Sequence, residues 1–265
     1  MVKFFAVISP AKTLDFESEA PTDDSSRYRC AEQASALISR LQSLSVPDIQ
    51  TLMHLSEPLA QLNVARYQAW QSKMTQANSK QALFAFRGDV YTGLNADTLT
   101  EPQIATAQQR VRIISGLYGL LRPLDKIQPY RLEMGTRLKT DQGANLYDFW
   151  GSRITELLNA DLQAADAEVL VNLASLEYSK AIKSKSVNVP MITPVFKDEK
   201  NGDYKIISFF AKKARGMMVR YLLEGQIKDL EGIKAFDYGG YQYSAADSDQ
   251  QVWTFKRSMP IKSNQ

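Results

Sequence analysis

A helix-like segment in the last quarter of the chain carries cations at a spacing that could bind an anion. Residues 209–225 read FFAKKARGMMVRYLLEG, and no acidic residue lies between the first lysine and the last arginine. At about 100° per residue, these cations fall within an arc of roughly 160°, and apolar side chains fill the opposite arc. This favours a phosphate-binding face, although the solvated side of an ordinary amphipathic helix is the alternative. The cations are Lys212, Lys213, Arg215 and Arg220.

Gly216 lies near the middle of the basic arc, where a solvated helix face would more often carry Glu or Gln. A glycine there costs the helix about 1 kcal/mol relative to alanine. We therefore expect something to approach the backbone closely at this position, either a phosphate or another chain. On this interpretation the side chains of Lys213 and Arg220 face solvent.

Polar residues follow three short apolar runs that read as buried strands. The runs FFAVI, VRIIS and VLVN lead into SPAK, SGLY and NLAS, respectively. In α/β sheets, ligands collect at the carboxyl ends of parallel strands. If the strands are parallel, one cleft holds Lys12, Tyr118, Asn172 and Ser175. The alternative is that these residues serve in turns and caps, as Asn and Ser commonly do.

The segment GLYGLLRPLDKIQPYRLEMG interleaves arginines with tyrosines. Arg122 and Arg131 beside aromatic rings suit stacking and phosphate contact. Each arginine also has a carboxylate close by in sequence, Asp125 and Glu133. Internal ion pairs that hold an irregular loop are therefore the alternative interpretation.

The composition excludes several kinds of site. A single cysteine, Cys30, and a single histidine, His54, rule out a disulfide within the chain and provide too few ligands for a His/Cys zinc site. We predict no metal and no cofactor. The net charge of +3 is small, so a polyanionic partner has to be argued from local clustering. Since no apolar run approaches the roughly 20 residues needed to cross a bilayer, we expect a soluble cytoplasmic protein with no membrane contact.

Local signals place the elements that must position these residues. Ser45 and Asp48 form a capping-box signature with Pro47 in the first turn, and a second helix is predicted to start near Val64. A longer helix is predicted over residues 146–165. The run ITPVFKDEKNGDYKIISFF predicts a β-hairpin that turns at the Asn-Gly pair.

The order of these elements indicates the fold class. Helices alternate with short buried strands, and we find no repeat and no linker. We predict a single compact α/β domain over residues 1–265. Its mixed sheet has short buried strands flanked by helices.

Several long motifs resemble the YaaA family of bacterial peroxide stress-resistance proteins. They are ISPAKTLD, FRGDVYTGL, SGLYGLLRPLDKIQPYRLEMG, NLASLEY, FFAKKARG, GGYQY and FKR, and together they extend over nearly the whole chain. The resemblance implies a cytoplasmic protein that protects against hydrogen peroxide by limiting free intracellular iron and its damage to DNA. It also implies a compact α/β fold with a positively charged cleft and a helix-hairpin-helix element, both linked to DNA binding.

The resemblance places the helix-hairpin-helix element at about residues 46–72, with LAQLNVAR as its hairpin. Asn63 occupies the position where such hairpins usually have glycine, and Asn tolerates the left-handed conformation. Gln61 replaces the usual first glycine, which weakens phosphate approach there. Arg87, where many relatives are expected to have Lys, and Phe210, where Tyr is common, also depart from the pattern.

Two hypotheses about function follow. The favoured one is a DNA-binding protein of the peroxide response whose basic helix contacts the phosphate backbone without reading sequence, with Arg66 in the hairpin holding a neighbouring phosphate. The alternative is an enzyme acting on a nucleotide or damaged nucleic acid, with Lys12 as nucleophile and Asp89 or Asp125 as general acid or base. A third possibility, direct sequestration of iron, would need carboxylates and tyrosines because imidazole and thiolate are nearly absent.

Overall fold

The central strands of the fold are apolar on both faces. The protein is described by a computed structural model that covers residues 3–225 and 227–258. The segments FFAVI, VRIIS and VLVNL are buried along their whole length, as is typical of parallel strands covered on both sides. The strands are β1 (Phe4–Ile8), β2 (Thr13–Leu14), β3 (Ser26–Arg27), β4 (Lys80–Gln81), β5 (Phe86–Arg87), β6 (Val111–Ser115), β7 (Gly119–Leu121), β8 (Asp125–Ile127), β9 (Val169–Leu173), β10 (Met191–Lys200), β11 (Asp203–Lys205), β12 (Gln242–Tyr243) and β13 (Val252–Arg257).

Helices connect and cover these strands. Short 3₁₀ turns lie at Ala96–Thr98, Ser184–Ser186, Tyr238–Gly240 and Ala245–Asp247. The α-helices are α1 (Ala31–Gln42), α2 (Val46–Met53), α3 (Glu57–Ala69), α4 (Ala82–Ala85), α5 (Asp89–Leu94), α6 (Glu101–Arg110), α7 (Leu146–Trp150), α8 (Arg153–Ala164), α9 (Leu176–Ser179), α10 (Ser208–Glu224) and α11 (Leu230–Lys234).

The main sheet is mixed, as predicted. Its order is β12–β13–β10–β9–β1–β6–β7, and β11 pairs with β10. The strands from β13 through β10, β9 and β1 to β6 are parallel, whereas β12, β7 and β11 pair antiparallel. The α10 helix packs against β10, β1 and β9, and α6 packs against β6 and β1. The predicted single-domain α/β fold, with a mixed sheet flanked by helices, is confirmed.

The predicted hairpin is also confirmed. Strands β10 and β11 pair antiparallel from Asp198 opposite Lys205 to Lys200 opposite Asp203. Asn201 and Gly202 form the turn with φ of 58° and 84°. Positive φ at both central residues matches the twist of the flanking strands, which is why Asn-Gly favours such turns.

The helix predicted over residues 146–165 is wrong in one respect, because the structure divides it into α7 and α8. Gly151 separates the two helices with φ of 51° and ψ of −116°, a conformation outside the helical region. A glycine adopts it without steric cost, so the chain changes direction there and starts α8 at Arg153.

The two helices of residues 46–69 differ from the predicted hairpin. The capping box is confirmed, since the backbone N–H of Asp48 donates to Ser45 Oγ and that of Ser45 donates to the Asp48 carboxylate at 2.9 Å. However, α3 begins at Glu57 rather than near Val64, and Asn63 lies inside it. The turn predicted at Asn63 is wrong. The chain reverses at His54, which has φ of 52° and ends α2.

Asn63 has a helical role instead. Its side chain is buried, and its Nδ2 donates to the C=O of Leu59 at 2.7 Å, one turn earlier in α3. The α2 and α3 helices pack against each other. Among the residues that the structure covers, no helix is both long and apolar enough to cross a membrane.

Candidate functional site

A cleft of about 470 Å³ opens at the carboxyl ends of the parallel strands. Ser9 and Lys12 follow β1, and Ser175 follows β9; pairing of Ile8 with Leu173 brings the two strand ends level. The backbone N–H of Ser175 donates to Ser9 Oγ at 2.8 Å, which joins the two loops. We call this site the basic cleft; its lining residues are 9–13, 87–91, 130–133, 175, 177, 178, 212 and 215.

One wall of the basic cleft has two cations on a single carboxylate. Glu133 Oε1 lies 3.3 Å from Lys12 Nζ and 3.0 Å from Arg131 Nη2. Lys12 is 67% exposed, so its charge remains open to a ligand. The cleft lining as a whole carries five cations, Lys12, Arg87, Arg131, Lys212 and Arg215, against three carboxylates, Asp89, Glu133 and Glu177, so its net charge is positive.

The opposite wall is formed by α10 and the start of α5. Lys212 is 52% exposed, and its Nζ lies 3.7 Å from the Asp89 carboxylate, a long and weak pair. Arg215 lies one helical turn further along and is half-buried. It makes no hydrogen bond or ion pair to any residue in 3–225 or 227–258. Partial burial lowers the pKa of its guanidinium, so an anion at this position would compensate a charge that the fold partly removes from water.

Two glycines hold this wall in place. A Cβ on Gly216 would stand 1.8 Å from the C=O oxygen of Val90, and a Cβ on Gly93 would stand 2.0 Å from the C=O oxygen of Lys213. The α5 and α10 backbones therefore touch directly. This contact sets the position of Asp89 against Lys212.

Comparison with known proteins identifies the family. The family model described as peroxide stress protein YaaA matches residues 4–247. The chain belongs to the YaaA family. The family predicted from the sequence motifs is thereby confirmed.

Curated relatives of this YaaA-family chain cover nearly its whole length. It is 53% identical to a UPF0246 protein of Shewanella woodyi over 251 residues, which is 95% of this chain and 98% of the relative. It is 55% identical to the UPF0246 protein of Shewanella pealeana over the same span. It is also 52% identical to that of a Janthinobacterium strain over 255 residues, 96% of this chain and 99% of the relative.

Two predictions about the basic helix of this YaaA-family chain are wrong. Gly216 is buried against α5, so the close approach that it permits is made by the protein's own backbone, not by an external phosphate. Arg220 does not face solvent either. Its Nη1 donates to the C=O of Asn95 at 2.9 Å and to Thr98 Oγ1 at 2.6 Å, and its Nε donates to Glu224. Arg220 thus fastens the end of α5 to α10, while Lys213 is half-buried and lies outside the cleft.

Only two of the four residues predicted to share a cleft do so. Lys12 and Ser175 line the basic cleft, whereas Tyr118 and Asn172 do not. The Tyr118 hydroxyl is buried and accepts hydrogen bonds from Trp70 Nε1 and the backbone N–H of Gln128, both at 3.1 Å. The Asn172 side chain is also buried, and its Oδ1 accepts from the N–H of Ala174. Tyr118 and Asn172 therefore have structural roles. For Asn172 this agrees with the alternative interpretation, in which such residues serve in turns and caps.

Arg122 and Asp125 form an internal ion pair away from the basic cleft. Asp125 is fully buried; its carboxylate accepts from Ser26 Oγ at 2.6 Å, from the N–H of Arg122 at 2.8 Å and from Arg122 Nε at 3.0 Å. A carboxylate so enclosed cannot exchange protons with a substrate. Asp125 is therefore wrong as a candidate acid or base, and Arg122 is not free for phosphate.

Arg66 lies on α3, half-buried at a second and larger cleft of about 830 Å³. Its Nη1 donates only a long hydrogen bond, 3.4 Å, to Asn63 Oδ1. Burial lowers the pKa of its guanidinium. Since the loop of residues 16–23 beside it contributes Glu17, Glu19 and Asp23 to the same cleft, this surface is of mixed charge.

Three tyrosines of the basic cleft were missed as site residues. Tyr91, Tyr130 and Tyr178 line it with nearly buried rings. They lie within FRGDVYTGL, the glycine- and proline-rich segment and NLASLEY, motifs that carry the family resemblance. Only the resemblance could have indicated these tyrosines as site residues, because a tyrosine by itself is as common in a protein core as in a binding site.

Proposed function

We propose that this chain is a DNA-binding protein of the peroxide response that holds backbone phosphates in the basic cleft. In the cytoplasm it would protect DNA and limit the damage caused by free iron. Family membership supports the link to peroxide stress. Support for phosphate binding comes from the cleft itself.

One observation carries the proposal: Arg215 is a half-buried arginine at the cleft, with no hydrogen-bond or ion-pair partner among the described residues. Burying an unpaired charge is costly, and structures tolerate it chiefly where a ligand supplies the opposite charge. The exposed ammonium groups of Lys12 and Lys212 stand at the same cleft. A phosphate can accept hydrogen bonds from a guanidinium and from lysines together.

Adjacent lysines on α10 give a matched test. Lys212 lines the basic cleft, whereas Lys213 lies outside it. In a salt titration of fluorescent duplex DNA, Lys212→Gln and Arg215→Gln should each flatten the log–log salt slope by about 1 unit. Lys213→Gln removes the same charge one residue away and should leave the slope unchanged. Equal effects of Lys212→Gln and Lys213→Gln, or no binding to duplex DNA at low salt, would refute this role for the cleft.

The α2–α3 pair is the proposed second contact, in the manner of a helix-hairpin-helix element. Arg66 is the one arginine or lysine of these two helices, and it lines the second cleft. Arg66→Gln should weaken binding of all DNA sequences to a similar extent. If the Arg66→Gln variant binds duplex DNA at low salt as tightly as the unmodified protein does, the α2–α3 pair makes no contact and DNA binds at the basic cleft alone.

The second candidate is an enzyme acting on a nucleotide or damaged nucleic acid in the same cleft. Asp89 is the observation in its favour, since this 30%-exposed carboxylate faces the cavity close to Lys212. Lys12 is less suited to nucleophilic attack, because activation of a lysine requires removal from water and Lys12 is well exposed. Asp89→Asn should abolish peroxide protection while strengthening DNA binding if catalysis matters. If Asp89→Asn protects cells from peroxide as well as the unmodified protein does, the enzymatic role is refuted and only the binding role remains.

A further inference from the structure

We propose that the interior of the basic cleft binds one nucleobase that is flipped out of a DNA strand, while the phosphate of that strand contacts Lys212 and Arg215. This inference rests on the proposed binding of DNA. The volume is the first reason. About 470 Å³ is the size of a small-ligand pocket, so a duplex can only lie across the mouth. A base enters such a pocket only when its nucleotide rotates out of the stack.

The distribution of polar groups is the second reason. The cations Lys12 and Lys212 are well exposed, whereas the rings of Tyr91, Tyr130 and Tyr178 are almost fully buried. This is a charged mouth above an aromatic interior. It matches a nucleotide, whose phosphate is charged and whose base is flat and largely apolar, better than it matches inorganic phosphate.

The hydroxyls of Tyr91 and Tyr130 are already hydrogen-bonded within the protein. Tyr91 donates to the C=O of Ser9 at 3.2 Å, and the Tyr130 hydroxyl shares a 2.6 Å hydrogen bond with Ser115 Oγ. Burial raises the pKa of both phenols, so they stay uncharged beside a phosphate. With these two hydroxyls engaged in the protein, a base in the interior would meet apolar ring surface rather than a free phenol.

Glu133 adds a preference among bases. Its Oε2 is buried and has no hydrogen-bond donor among the described residues. For a base to reach this oxygen, the exposed Lys12 side chain, which contacts Oε1, would have to move aside. A carboxylate oxygen accepts from an exocyclic amino group such as N4 of cytosine, which thymine lacks. We therefore infer that an unpaired cytosine is bound more tightly than an unpaired thymine.

Photocrosslinking tests the placement directly. The full chain is bound to a duplex carrying one 5-iododeoxycytidine opposite an abasic site, irradiated, digested and mapped by mass spectrometry. The adduct should lie on a peptide containing Tyr91, Tyr130 or Tyr178. Adducts confined to exposed rings such as Phe209 would overturn the proposal.

Affinity measurements separate this proposal from DNA binding itself. Because opening a base pair costs a few kcal/mol, a duplex with an unpaired cytosine should bind at least about tenfold more tightly than the matched duplex. Ala11→Leu narrows the cavity and should bring the ratio of unpaired-duplex to matched-duplex affinity close to one. Glu133→Gln removes a negative charge and should raise affinity for all duplexes, yet abolish the distinction between cytosine and thymine. Thermal melts verify that both variants fold.

Each contrary outcome points to a different error. Equal affinity for matched and unpaired duplexes would refute the nucleobase pocket and leave DNA binding intact. A preference that persists in Ala11→Leu would assign it to DNA flexibility rather than to the cleft. If free deoxycytidine monophosphate competes as well as the unpaired duplex does, the ligand is a free nucleotide and the DNA source is wrong. No binding to any duplex at low salt would refute the proposed function first.

Discussion

Replacing Gly216 by alanine is the sharpest test of how the cleft wall is built. The added Cβ would stand 1.8 Å from the C=O oxygen of Val90 and 2.7 Å from the backbone N of Leu94, whereas ordinary contacts begin at 3.4 Å. The α5 and α10 backbones would have to separate by roughly 1.5 Å, because a backbone oxygen has no rotamer to change. Overpacking of this kind costs about 3 kcal/mol at the upper end of its range, and alanine returns about 1 kcal/mol of helix propensity. We expect the free energy of unfolding to fall by about 2 kcal/mol.

The measurement is urea unfolding followed by far-UV circular dichroism, with a thermal melt in parallel. A loss of this size should lower Tm by roughly 4–8 °C in a domain of this length. Gly232→Ala in α11 is the matched control, because its Cβ would meet a methyl group of Ile227 at 3.3 Å, and a side chain can adjust. A helix with Gly216 on its solvated side would instead be stabilised by alanine. An unfolding free energy that rises or stays level in Gly216→Ala would refute the direct contact between the two helices.

Substitutions at three other positions have expected outcomes that the same unfolding experiments check. Asn63→Ala should lower the free energy of unfolding by about 1–2 kcal/mol, because a buried hydrogen bond is lost. Asn63→Gly should lower it by about 1 kcal/mol more, because glycine disfavours a helix. A glycine variant more stable than the alanine variant would instead support a left-handed turn at this position. Asp125→Asn should lower the free energy of unfolding by about 3 kcal/mol, because it leaves the half-buried Arg122 without its carboxylate. The affinity for duplex DNA should be retained. A loss of stability smaller than that of an Asp→Asn change at an exposed position would contradict the structural role of Asp125. Acidification is the third test: hydrogen bonds from the backbone N–H of Ser18, and from Arg87, hold the pKa of Asp15 far below its ordinary value. The stabilisation by this carboxylate is therefore complete above the unfolded pKa of about 3.9 and is lost as the pH falls below it. Asp15→Asn should lower Tm at pH 7 and flatten the fall of Tm below about pH 4, and an acid limb identical to that of the unmodified protein would show that Asp15 does not contribute to it.

Local sequence signals predicted the elements that depend on neighbours in the chain. The buried strands follow from continuous apolar runs, the β10–β11 turn from Asn201-Gly202, and the start of α2 from Ser45 and Asp48. In each case the responsible atoms lie within a few residues of one another. The same reasoning failed at Asn63, because an asparagine suits both a left-handed turn and a side-chain hydrogen bond to the preceding helical turn, and only the packing of α3 selects between them.

The basic helix separates the two kinds of information most clearly. Its sequence determined a two-faced helix with an unusual glycine on the cationic side, and the prediction that something approaches that glycine closely was correct. The identity of the approaching group was not in the local sequence, since α5 lies more than a hundred residues away along the chain. Tertiary packing decided that Gly216 meets Val90 and that Arg220 is used to hold α5. It also left Arg215 without a partner among the described residues, because a charge is paired only when the fold brings an opposite charge beside it.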